Sequence, residues 1–148
     1  MTLKKQLLFI LFLLCQCIFA QQDVIVLSEV VVSDSQLKNF TETKDIKVLN
    51  DSVIEKNRAS LTSLLNYNSV IYFKENGLGM VSSPSFRGTT AQQTAVIWNG
   101  ININSQLNGQ TDFNTVSSRD FNSVSIQAGG GSTIYGTSAI GGSIHLSN

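Results

Sequence analysis

The sequence holds two cysteines, Cys15 and Cys17, both inside an N-terminal apolar run, and none downstream of them. That excludes a disulfide scaffold, a cysteine nucleophile and a cysteine-ligated metal from the body of the chain. Charge is scarce as well. Only 14% of the 148 residues are Asp, Glu, Lys or Arg, and the 10 basic and 10 acidic side chains cancel, where about a quarter charged is usual. With no excess of either sign there is no basic face for nucleic acid, and the regular recurrence of apolar residues is unlike an acidic disordered tail. Long hydrophobic runs are missing too. The one candidate, Leu7 to Ala20, covers 14 residues and is interrupted by Gln16, short of the roughly 20 that a membrane-spanning helix needs.

Neutral polar side chains take the place of charge: 19 Ser, 13 Asn, 11 Thr and 10 Gln. They keep a surface hydrated without a strong field of either sign. Residues 1–20 read as a secretory signal, with Lys4 and Lys5 as its positive region, Leu7 to Leu14 as its apolar region and Ala20 as the small residue before a cleavage point. Lipid attachment at Cys15 or Cys17 is the rival reading; Leu14 and Gln16, which precede them, are not the small residues that such processing favours. Cleavage after Ala20 leaves 128 residues with 8 basic and 10 acidic side chains, a net charge of −2. A chain of that length buries one core without covalent staples.

Residues 21–35 are expected to form an extended segment. Val24, Ile25, Val26, Val30, Val31 and Val32 are β-branched, which suits either a first core strand or a strand that adds to another protein's sheet edge. Ile46 to Leu49 predicts a second strand. Asn50-Asp51-Ser52 offers helix caps, with Ser52 and Glu55 at capping-box spacing. The next helix starts at Ser60, places Leu61, Leu64 and Leu65 on one face, and ends at Asn66 or Asn68. Val70 to Lys74 is strand-forming, and a loop containing Gly77 and Gly79 runs on to Pro84. Asn99-Gly100, between Ala95–Trp98 and Ile101–Ile103, is a strong hairpin signal because a type I′ turn needs positive φ at both central residues. Thr115 to Phe121 is expected as one short helix, Val124 to Gln127 as a strand, Ser132 to Ile140 as a short helix stopped by Gly141-Gly142, and Ser143 to Ser147 as a last strand. Strands and short helices without a βαβ rhythm or internal repeat indicate an α+β fold with a small mixed β-sheet.

Few residues invite chemistry. Gly129-Gly130-Gly131 follows a strand, as phosphate-binding loops do, but no Lys-Ser or Lys-Thr comes next and no acidic residue stands about 20 positions on. A tight turn packed on neighbouring backbone is the simpler reading. His145, the only histidine, alternates with Ile144 and Leu146. A packed or solvent-facing side chain fits that setting better than a catalytic base, and no nucleophile-elbow motif is present. Trp98 reads as a hairpin anchor rather than a ligand platform. Arg87, between Phe86 and Gly88, reads equally as an ion-pair partner or a solvated surface charge. The expectation is a protein that is not an enzyme and carries no cofactor or metal.

Five stretches follow one another in order: Phe86-Arg87-Gly88; Val96 to Gly100; Val124 to Gly130; Ile134-Tyr135-Gly136; and Ala139 to Ile144. This ordered set resembles the plug domain of TonB-dependent outer-membrane receptors, and in flavour the cobalamin and siderophore receptors, over roughly Leu27 to Asn148. Its motif positions here are Arg87, Gly88, Asn99, Gly100, Gly129, Tyr135, Gly136, Gly141 and Gly142. There are departures. Asn99 stands where the family usually has Asp, Ser125 and Ala128 where it often has Glu and Arg, and Gly130 in place of Pro. Those family charges help lock plug to barrel, so neutral hydrogen bonds, each contributing roughly 0.5–1.5 kcal/mol net, would have to substitute.

The resemblance implies that residues 36–148 form a plug inside a 22-stranded barrel in the outer membrane. A small-molecule nutrient such as cobalamin or an iron-siderophore would bind at the plug's apices and the extracellular loops. TonB would then capture an N-terminal TonB box in the periplasm by strand addition. That box would comprise Val24, Ile25, Val26, Leu27, Ser28, Glu29, Val30, Val31 and Val32. Substrate-facing residues would come from Glu75–Met80 and Asn102–Gln110, with Asn76, Leu78, Met80, Asn104 and Gln106 as candidates. Twenty-two strands of about 10 residues need roughly 220 residues, so the barrel is absent from this chain, which would be the N-terminal portion of a longer receptor. The alternative is a freestanding periplasmic domain that binds a ligand or partner. Neither reading involves nucleic acid.

Overall fold

The computed structural model describes residues 4–5, 45–57 and 60–148. The cleavage point expected after Ala20 and the extended segment Val24 to Val32 lie outside the described residues. From Ile46 onward the order is β1 (Ile46–Leu49), α1 (Asp51–Lys56), α2 (Leu61–Asn68), β2 (Tyr72–Glu75), β3 (Ser82–Ser85), β4 (Thr94–Trp98), β5 (Ile101–Asn102), β6 (Ser123–Ala128), α3 (Ser132–Tyr135) and β7 (Gly142–Ser147). Five strands make one mixed sheet in the order β1-β6-β7-β4-β5, and β2 pairs with β3 in a separate ribbon. Within the sheet β4 and β7 run parallel, while β1–β6, β6–β7 and β4–β5 are antiparallel. This is the expected α+β architecture.

The three central strands are buried on both faces, and alternation divides their side chains between two layers. Val96, Val124, Ile126, Ile144 and Leu146 join the main core with Leu61, Leu64 and Leu65 of α2, Phe73 of β2, and Phe86, Phe113 and Phe121. Phe73 and Phe113 meet edge to face with ring centroids 5.2 Å apart, a favoured aromatic geometry. On the opposite face Ala95 and Ile97 pack with Ala139 and Tyr135 of the segment between β6 and β7.

Local chemistry explains most of the elements. Ser60 caps α2 by accepting from Ser63 N at 3.2 Å, at the expected residue. The Asn99-Gly100 hairpin forms with φ 46° and 87°, as a type I′ turn requires. Four expectations are corrected. Ser52 does not form a capping box with Glu55. It lies inside α1 and donates to Asn50 Oδ1 at 3.0 Å, and the box forms instead between Thr90 and Gln93 around a 3-10 turn. The loop expected to reach Pro84 contains strand β3; a proline is tolerated there because each strand of a two-stranded ribbon has an open edge. Thr115 to Phe121 is not one helix but a single 3-10 turn at Ser118–Asp120. Thr115 Oγ1 donates to Asp112 O and Ser117 Oγ accepts from Arg119 N, local bonds that compete with a helix. Ser132 to Ile140 breaks at Gly136, φ 83°, into α3 and a 3-10 turn at Thr137–Ala139.

Candidate functional site

The sequence motifs converge at two places. The first is where the Phe86-Arg87-Gly88 turn meets Gly141-Gly142. Arg87 and Gly88 occupy φ 50° and 86°, and Thr89 N closes the turn on Phe86 O at 3.0 Å. The buried Phe86 ring lies against Gly142, where a Cβ would come within 2.9 Å of the ring and 2.8 Å of Gln127 O. A Cβ on Gly141 would collide with the Thr89 hydroxyl, and Gly141 N donates to Gln93 O at 2.8 Å. Two glycines are therefore required by close approach, not by turn geometry. Gly129 N in turn donates to Gly141 O at 2.9 Å. Arg87 itself is exposed.

Beneath Tyr135 the second layer is polar. Ser143 Oγ and His145 Nε2 are 2.9 Å apart, and the Tyr135 and His145 rings meet edge to face at 4.8 Å. Gln127 Nε2 donates to Gly129 O at 3.3 Å. Ser143 is 0% and His145 2% exposed, so the pair is closed off from solvent. Trp98 anchors the hairpin end, edge to face with Phe121 at 5.9 Å, while Trp98 Nε1 and Asn99 Nδ2 both donate to Asn148 Oδ1, at 3.2 and 2.7 Å.

The second convergence joins the two loops expected to face a substrate. Asn114 Nδ2 donates to Met80 O at 2.7 Å and to Glu75 Oε1 at 3.2 Å, and Asp112 Oδ1 accepts from Ser82 N and Asn114 N at 2.9 and 3.0 Å. Asp112 and Asn114 thus bind residues 105–114 to residues 75–82, a role that sequence reasoning missed although an Asp-x-Asn pattern signals an Asx turn. Asn76, Leu78, Met80, Gln106 and Leu107 remain exposed, Leu78 and Leu107 almost completely, at 103% and 96%. Neither 76–81 nor 104–111 contains a charged residue.

Asn104 is different. Its Oδ1 accepts from Val96 N at 2.9 Å, and its Nδ2 donates to Thr94 O and Gly109 O, both at 2.9 Å. The carboxamide acts as a peptide surrogate along the edge of β4 where β5 has ended, so it faces the sheet and not a ligand. Among the described residues no group of three or more His, Cys, Asp or Glu could hold a metal ion. The segment Val24 to Val32 lies outside the described residues.

Comparison with known proteins agrees with this geometry. The family model of the TonB-dependent receptor plug domain matches residues 38–143. The chain is 33% identical over 72 residues to the vitamin B12 transporter BtuB of Vibrio vulnificus, covering 49% of this chain and 12% of that one. It is 29% identical over 104 residues to the protein of the same name from Vibrio cholerae, covering 69% and 17%. It therefore spans less than a fifth of the length of these relatives. Among solved structures, the ferric yersiniabactin uptake receptor FyuA of Yersinia pestis superposes with a TM-score of 0.57 at 21% identity over 72% of this chain and 17% of that one. The siderophore receptor PiuA of Acinetobacter baumannii gives 0.54 at 20% identity over 71% and 14%. Motif order, mixed-sheet topology and the family match over residues 38–143 agree, and the chain belongs to the TonB-dependent receptor plug domain family.

Proposed function

We propose that this chain is the gating portion of an outer-membrane transporter that takes up a scarce small-molecule nutrient such as cobalamin or an iron-siderophore. Residues 1–20 direct export, residues 36–148 fill the lumen of a C-terminal β-barrel, and TonB takes Val24 to Val32 from the periplasmic side by strand addition. Main-chain hydrogen bonds suit that last task because they tolerate many sequences. The observation that carries the reading is the joined rim of loops 76–81 and 104–111. Hydrogen bonds through Asp112 and Asn114 hold the two loops side by side, while Leu78 and Leu107 stay bare. A domain that presents fixed, uncharged, half-apolar tips is equipped to recover apolar burial, about 25 cal/mol per Å², when a ligand covers them. Asn76, Leu78, Met80 and Gln106 would meet it, with Asn104 positioning its loop.

The neutral polar composition supports the same reading, because rearrangement in a hydrated lumen then breaks few buried ion pairs, each of which would cost several kcal/mol. The test is energy-dependent uptake of labelled cobalamin or ferric siderophore by a receptor carrying this plug. Val31→Pro, which removes one ladder donor, is expected to abolish uptake and crosslinking to TonB while leaving ligand binding intact. Undiminished uptake by that variant would place the TonB contact elsewhere. Binding unaffected by Leu78→Ala with Leu107→Ala would remove the rim as the ligand surface.

A further inference from the structure

The chain contains three Asn-Gly steps: Asn76-Gly77, Asn99-Gly100 and Asn108-Gly109. Each places an unhindered backbone nitrogen next to a carboxamide, the arrangement from which a five-membered imide can close. The dipeptides are identical, and the fold treats them differently.

Asn99 is held in the β4–β5 turn at φ 46°. Its backbone N donates to Leu146 O at 3.0 Å and its carboxamide to Asn148 Oδ1 at 2.7 Å. At Asn108 the carboxamide oxygen accepts from Gln110 N at 3.3 Å, and the attacking atom itself, Gly109 N, donates to Ser105 O at 2.8 Å. Asn76 has neither restraint. It is exposed, its carboxamide makes no hydrogen bond among the described residues, and the Gly77–Met80 turn is closed by Met80 N donating to Gly77 O at 3.1 Å, which leaves Gly77 N without a backbone acceptor among the described residues. A Cβ built on Gly77 would touch only Met80 Cγ, at 3.3 Å, so the nitrogen is also uncrowded.

We propose that Asn76 is a site of spontaneous deamidation, and that the fold protects Asn99 and Asn108 from the same reaction. The Gly77 nitrogen gives its proton to solvent base and forms a bond to Asn76 Cγ. The carboxamide C–N bond breaks and, with proton uptake, releases ammonia. Water then adds to either imide carbonyl and reopens the ring, leaving aspartate or isoaspartate at position 76. One water enters, one ammonia leaves, and nothing is oxidised or reduced. The product carries a negative charge in a loop, 76–81, that has none. In the isoaspartate form it also lengthens the backbone just ahead of Leu78.

The test is to age the full chain in mildly alkaline buffer and follow each Asn-Gly peptide by mass spectrometry, with isoaspartate-specific methyl transfer as a second readout. A parallel sample is held in guanidinium. In the folded chain conversion at Asn76 is expected to exceed that at Asn99 and Asn108 by at least about tenfold, the factor by which one retained hydrogen bond slows such a step. In denaturant the rates at Asn99 and Asn108 should rise until the three converge. Conversion at Asn99 or Asn108 as fast as at Asn76 in the folded chain would overturn the proposal. So would a lead for Asn76 that persists undiminished in guanidinium, because local sequence and not the fold would then set the order. Neither result bears on whether the chain gates a transporter.

Discussion

The two faces of the central sheet come from the same three strands and are built on opposite principles. On one face Val96, Val124, Ile126, Ile144 and Leu146 meet helix α2 and four phenylalanines in a mainly apolar layer. On the other, Ala95 and Ile97 share the space under Tyr135 and Ala139 with Gln127, Ser143 and His145, all buried. The first layer is held by area removed from water. The second is held by small side chains that let α3 approach and by polar groups that find partners, such as the Ser143–His145 contact at 2.9 Å. A buried hydroxyl is therefore an asset on one face and a cost on the other. The sheet contains both kinds, because Thr94, on the same side of β4 as Val96, has a buried Oγ1 with no hydrogen-bond partner among the described residues.

Four substitutions sharpen that contrast, each read as a change in unfolding free energy of the chain in urea. Phe86→Ala, which empties the space against Gly142, is expected to destabilise by about 3–5 kcal/mol; a loss below about 1 kcal/mol would mean that the apolar face is not the main support. Ser143→Ala is expected to lose about 1–3 kcal/mol because it removes a partner from buried His145. Combined with His145→Leu, the loss should fall short of the sum of the two single losses by at least about 0.5 kcal/mol; strict additivity would show that the pair is not coupled. Thr94→Val should move the other way, gaining up to about 1 kcal/mol by removing an unsatisfied hydroxyl at almost constant shape. A loss there as large as that of Ser143→Ala would erase the distinction between the faces.

Much of the fold was legible locally. Ser60 begins α2, Asn99-Gly100 makes the hairpin, and the alternation around Ile144 and Leu146 marks a buried strand, because caps, type I′ turns and period-2 burial depend on neighbours within a few residues. The failures lie where local signals compete. Thr115 to Phe121 has helical spacing, but Thr115, Ser117 and Asp112 bond to nearby backbone and reduce the helix to one turn. Pro84 looked like the end of a loop and sits in a strand that tolerates it because one edge of that strand is unpaired. Of the site candidates, Asn76, Leu78, Met80 and Gln106 are exposed as a ligand surface demands, whereas the Asn104 carboxamide is bound to the β4 backbone.

The sequence by itself determined the class of molecule: a neutral, hydrated, cysteine-free domain of short strands whose ordered motifs mark the plug family, since composition and turn chemistry are properties of the chain alone. Only the tertiary structure decided why the motif residues are what they are. Gly142 must be glycine because Phe86, more than fifty positions earlier, lies where its Cβ would be. Loops 76–81 and 105–114 form one rim because Asp112 and Asn114 reach across to residues 75–82. Both facts depend on contacts between distant segments, and van der Waals exclusion and hydrogen bonding act on distance in space, which the order of residues does not contain.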